Sequence, residues 1–258
     1  MIMKTSTTLG VAALAACATA YLASAAPRAA SSTAPVSAAP APVEGKVTGH
    51  VKYDGTPPEI KPLAITDEQA KGCCPPGKQV NSKNPELLVD ASGGIANVVV
   101  TIESPGAKVE PPKEALHIDQ HECTFEPHVR VIPIGGKLEF LNSDQVSHNV
   151  HTYAQRNDPF NQTIAPGSKE ERVLSKDEKF QVKCDIHPWM SSWVFVTDTP
   201  YFAVTKADGS FEISGLKPGK YKVELWHEKL GKGHAEVVVK DDGSSAPVEA
   251  KMSEKKKH

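Results

Sequence analysis

The sequence predicts an all-β fold, on three observations. Apolar residues alternate with period two in several separate stretches, helical periodicity is weak throughout, and turn formers are plentiful, with 18 Gly and 21 Pro in 258 residues. A 39% hydrophobic content with 23% charged residues is enough for a packed core and excludes global disorder. The 29 Lys and Arg are balanced by 31 Asp and Glu, so no cationic excess exists to displace counterions from a nucleic acid. No apolar run reaches the ~18 residues of a membrane-spanning helix.

Residues 1–25 read as a signal peptide. Lys4 precedes an apolar stretch from Leu9 to Ala16, and Ala23-Ser24-Ala25 fits the small-residue pattern for cleavage before Ala26. A second reading takes Leu14-Ala15-Ala16-Cys17 as a lipobox, which makes Cys17 a lipidated N-terminus. Either way the chain leaves the cytoplasm for the periplasm or the exterior. Residues 26–44 are almost entirely Ala, Pro, Ser and Thr and read as a linker, since they bury too little to offset their ordering entropy. Residues 249–258 are polar, end in Lys255-Lys256-Lys257-His258, and read as a disordered basic tail.

Between these ends the strands follow in order. Val47, Gly49, Val51 and Tyr53 alternate and stop at Asp54-Gly55-Thr56-Pro57. Thr66 to Lys71 offers one turn of helix. Val98, Val100 and Ile102 alternate and stop at Pro105-Gly106, and a strand over Lys137 to Leu141 follows Gly135-Gly136. Phe180, Val182 and Cys184 share a face; Tyr221, Val223 and Leu225 follow Pro218-Gly219; Ala235, Val237 and Val239 precede Asp241-Asp242-Gly243. The flanks, Gly45 to Pro58 with Asn97 to Glu103 and then Ala203 to Ile213, Leu216 to Tyr221 and Ala235 to Val239, resemble the carboxypeptidase regulatory-like β-sandwich family. That family runs such strands nearly back to back. Here about ninety residues intervene, the size of a small domain. The expected organisation is therefore one sandwich split over 45–105 and 199–248, with a second domain at 106–198 inserted through loop tips.

The inserted part carries the chemistry. Cys184-Asp185-Ile186-His187-Pro188-Trp189-Met190 gathers a thiolate, an imidazole and a thioether, a soft set suited to copper rather than to Mg²⁺ or Ca²⁺. Blue copper sites use two His, one Cys and a weak axial Met. The second histidine is expected from Asn142-Ser143-Asp144-Gln145-Val146-Ser147-His148-Asn149-Val150-His151. His148 is the choice, because odd spacing along an extended segment turns His151 to the other face. At this point residues 118–197 resemble the cupredoxins. The Cys-x2-His-x2-Met loop with Pro188 is similar to the short ligand loop of the amicyanin type, and His148-Asn149 matches the upstream ligand loop. The resemblance implies a Greek-key sandwich, one mononuclear type 1 copper held by His148, Cys184, His187 and Met190, and one-electron transfer with protein redox partners it does not identify. The edge of His187 beside Pro188 and Trp189 is the expected electron port. Copper storage or delivery, and a non-catalytic binding module, are the alternatives; nothing resembles a Ser/His/Asp triad or a phosphate loop, and an enzyme ranks last.

Outside the cytoplasm thiols tend to pair. With Cys184 on the metal, Cys123 is expected to bridge to Cys73 or Cys74, since adjacent cysteines strain the backbone when bonded to each other. His121, Cys123 and His128 form a second donor cluster, whose plainer reading is surface and core residues around a disulfide. Trp226-His227-Glu228 ends a strand, where it could pack against the insert or form a carboxylate–histidine pair; the resemblance assigns it no role.

Overall fold

The computed structural model describes residues 43–71, 73 and 79–254. The leader, Cys17, most of the linker, Cys74 and the last four residues lie outside the described residues. The fold is all-β: sixteen strands and one helix of four residues among the described residues.

The described residues begin with β1 (Gly45–Tyr53), α1 (Asp67–Ala70) and β2 (Val99–Ile102). Thr66 caps α1, its hydroxyl accepting from the Gln69 amide while the Gln69 side chain accepts from the Thr66 amide; this reciprocal cap makes the expected turn of helix. Nine strands follow: β3 (Leu116–His121), β4 (Thr124–Glu126), β5 (Val129–Pro133), β6 (Lys137–Asn142), β7 (His148–Thr152), β8 (Asn161–Ile164), β9 (Lys169–Val173), β10 (Glu178–Lys183) and β11 (Ser191–Thr197). The described residues close with β12 (Phe202–Val204), β13 (Ser210–Leu216), β14 (Gly219–His227), β15 (Gly231–Val239) and β16 (Val248–Met252).

Pairing separates the flanks from the middle. β13-β1-β16 and β12-β2-β14-β15 form two sheets around a core that includes Val47, Val51, Val100, Ile213, Leu225 and Val237. β5-β11-β10-β7-β8 and β4-β3-β6-β9 form two more around Ile118, Phe140, Val150, Phe180, Val182 and Val194. β1 runs antiparallel to β13, Val47 opposite Ile213. Gly49 is required there: a Cβ would sit 2.3 Å from the Val248 carbonyl oxygen and 2.7 Å from the Phe211 ring. A smaller apolar seam joins the two sheet pairs, with Trp226 edge-on to Trp193 at 5.2 Å and Val129 and Val131 beside them.

One expectation is corrected. Residues 249–252, placed in a disordered tail, belong to β16, which pairs in parallel with β1 from Gly49↔Val248 to Tyr53↔Met252. Val248, Ala250 and Met252 are buried while Glu249 and Lys251 face solvent. Alternate charges made the stretch look polar overall, but the period of two is what a half-buried strand needs.

Candidate metal centre

Three of the four expected ligands converge. His148 opens β7, Cys184 directly follows β10, and His187 lies in the loop that Met190 ends at the foot of β11. The loop is closed on itself: the Met190 amide donates to the His187 carbonyl at 2.9 Å and the Cys184 amide to the Met190 carbonyl at 3.3 Å. His148 Nδ1 faces His187 Nδ1 at 2.9 Å, and Cys184 Sγ lies 3.8 Å from His187 Nδ1. One ion with bonds of about 2 Å can bridge donor atoms at such separations, and the donor set is the soft one that copper prefers. His148, Cys184 and Met190 are no more than 1% exposed. Met190 joins the apolar core around the site.

The electrostatics prepare the thiol. Burial pushes the Cys184 thiol up, but hydrogen bonds from His148, His187 and the Asn149 and His187 amides outweigh it and bring its pKa down to about 6. Burial also opposes charge on His148, yet the contacts with Asp144 and Cys184 raise its pKa to about 8. A ready thiolate is the form that binds a metal.

Asp144 was not expected from the sequence. Its Oδ2 lies 2.7 Å from His148 Nε2, so the Nε2 proton is held there and Nδ1 is left for the metal side. The same carboxylate accepts from the amides of Glu122 at 2.7 Å and Cys123 at 2.8 Å. These two residues form the turn between β3 and β4 with φ of 52° and 53°, a left-handed pair without glycine. Asp144 thus steadies a strained turn and a ligand together. Burial disfavours its charge, but its three donors hold the carboxyl below its usual value.

That turn carries Cys123, which is bonded to Cys73; of the two partners left open, the structure selects Cys73. Both sulfurs come within 4.8 Å of a His187 ring nitrogen, and the Trp189 ring lies 5.1 Å from the His187 ring. His187 is therefore only 9% exposed. The edge expected to serve as electron port is thus only slightly exposed, with the disulfide and Trp189 packed beside the imidazole.

The other histidines have other partners. His151 contacts Asp185 at 3.1 Å and stacks on Tyr153, away from Cys184. His121 is half exposed beside Glu122. His128 meets Glu228, and with Cys123 in a disulfide the second donor cluster does not assemble. No described helix is long and apolar enough to cross a membrane.

No family model and no curated protein matches the chain. Solved structures do match, over at most 38% of it among the following. A copper-containing nitrite reductase from Thermus scotoductus SA-01 is 24% identical over 38% of this chain and 25% of its own, with a TM-score of 0.32. A purple cupredoxin from Nitrosopumilus maritimus is 23% identical over 33% of this chain and all of its own, at 0.29. A methionine-to-alanine mutant of amicyanin in its Cu(I) form is 20% identical over 38% of this chain and 98% of its own, at 0.30. The chain spans a quarter of the nitrite reductase. Scores of this size establish no family.

Proposed function

We propose that this is an exported type 1 copper protein that passes single electrons between protein partners. The observation that carries the reading is the buried convergence of Cys184 Sγ with the Nδ1 atoms of His148 and His187. A bound copper ion would supply the one-electron couple. The chain supplies the rest. Strands β7, β10 and β11 hold the donors on rigid backbone, so that little has to move when charge changes. The Asn149 and His187 amides point at the thiolate from 3.3 and 3.4 Å, and the surrounding apolar core excludes water. Catalytic metal sites keep an open position, whereas these donors are covered, which favours a carrier over an enzyme and retention of the metal over delivery. The disulfide fits an oxidising compartment outside the cytoplasm.

The direct test is an absorption and EPR spectrum of the full chain titrated with Cu(II). One equivalent should saturate an intense thiolate-to-copper band; a colourless complex, or two equivalents of tightly bound copper, would count against the site. Met190→Leu should keep the copper and raise its reduction potential, because a thioether donor is lost while the apolar surround remains. His151→Ala, as a control, should leave the spectrum unchanged.

The same reading nests one domain in another, a carboxypeptidase regulatory-like sandwich of 45–105 and 199–248 around a copper domain of 106–198. The separate sheet pairings and cores support it. Replacing 106–198 by a short Gly/Ser turn should leave a folded β-domain that takes up no copper. An unfolded product would refute the nesting.

A further inference from the structure

Trp226-His227-Glu228 runs into the turn between β14 and β15, and that turn is fixed to its own sandwich. Leu230 is buried in the sandwich core at 2% exposure. The Lys229 amide donates to His227 Nδ1 at 3.2 Å, and Lys229 Nζ lies 3.0 Å from Glu86. Gly231 closes the turn at φ 78°, a conformation that suits glycine.

Glu228 reaches the other way, into the metal-binding half. Its Oε2 accepts from Trp193 Nε1 at 2.7 Å, and its Oε1 meets His128 Nε2. His128 Nδ1 lies 3.1 Å from the Ser191 carbonyl, which can only accept, so Nδ1 carries a proton. The His128 carbonyl in turn accepts from the Trp193 amide at 2.8 Å and the Ser192 hydroxyl at 3.0 Å. Apart from the Glu228–His128 pair itself, these contacts fall on Ser191, Ser192 and Trp193, the three residues after Met190. The His128 and Glu228 side chains are 9% and 11% exposed, so water does little to weaken their attraction.

We infer that Glu228 is a positioning residue for the metal loop: through His128 and the Ser191 carbonyl, the flanking sandwich clamps the foot of the loop and sets where Met190 stands relative to Cys184. This gives the sandwich a part in the site without a ligand of its own. The spectroscopic half of the inference rests on the copper reading; the clamp itself does not.

The experiment compares the full-length wild type with Glu228→Ala, Glu228→Gln and Val237→Ala. The last removes buried core volume from the sandwich at a distance from the loop. In metal-free protein, amide hydrogen exchange at Met190 and Trp193 should quicken in Glu228→Ala by about tenfold over Val237→Ala, the equivalent of one charged hydrogen bond. Glu228→Gln keeps an acceptor for Trp193 Nε1 and should fall between, and it serves alone if the alanine variant does not fold. With Cu(II) bound, Glu228→Ala should shift the EPR copper hyperfine splitting and the reduction potential, while Val237→Ala leaves both in place. Exchange at Met190 and Trp193 that follows overall stability equally in all variants overturns the clamp. A wild type without a copper band defeats the copper reading instead, and the exchange comparison still decides the clamp.

Discussion

Cys184→Ser should abolish the thiolate-to-copper band and weaken copper binding, since a hydroxyl is a poor soft donor. A serine variant that stayed blue would remove Cys184 from the site. The metal-free protein offers a second measurement. The thiolate absorbance of the wild type, less that of the variant, should persist down to about pH 6 and vanish below it. The sign follows from a depressed thiol: its contribution to stability is complete above the unfolded value, ordinarily about 8.5, and is lost as pH falls through about 6. His148 runs in the opposite sense. Its raised value contributes stability below the ordinary 6.5 and loses it as pH rises through about 8. Copper uptake should therefore begin to weaken below about pH 8, where a proton on His148 competes with the metal, and fall further below about pH 6, where protons compete for the sulfur. A difference titration centred near the ordinary thiol value would mean that the histidines do not act on Cys184.

Asp144→Ala should be the most damaging single change outside the ligands. It strands two turn amides and His148 Nε2, all held by one carboxylate that is 6% exposed. Breaking a buried charged partnership costs roughly 3–5 kcal/mol, and loss of a ligand's outer hydrogen bond costs roughly 10–100-fold in metal affinity. Asp144→Asn keeps one acceptor oxygen and should lose less of both. Urea unfolding with and without copper separates the effects. If Asp144→Ala lowers stability but leaves copper affinity intact, the carboxylate supports the turn and does not orient His148.

The strands were legible because their signal is local. Alternation in β1, β14 and β15 is carried by consecutive residues, and the Cys184–Met190 loop packs three donors into seven positions. What escaped was set by contacts between distant segments. Asp144 precedes His148 by four residues in a loop, where no period marks it, and its second task depends on a turn three strands earlier. Glu122 and Cys123 hide a left-handed turn because neither is glycine. The choice of Cys73 over Cys74, and the covering of His187, depend on where a long irregular segment comes to rest. β16 was missed for a different reason: its alternation was present, but its charged residues set the impression.

The pairing of β1 has a consequence for how the molecule is made. Its first strand partner in chain order, β13, meets it from Ser210 to Leu216, and its other strand partner, β16, comes later still. Synthesis runs from the N-terminus, so residues 45–50 of β1 wait unpaired while the middle is completed, although Val51 to Tyr53 can already bond to Gly93 to Ile95. Closing so long a loop costs little extra in equilibrium terms but is slow in kinetic ones. Phe140 and Phe180 can be in place in their own core while Val47 and Val51 have only earlier residues such as Ile95, Val98 and Val100 beside them and still lack Ile213 and Val248. Time-resolved exchange during refolding should then protect amides in β6 and β10 ahead of those in β1. The half of the molecule that carries the ligands would form first, and the clamp from Glu228 would arrive only afterwards.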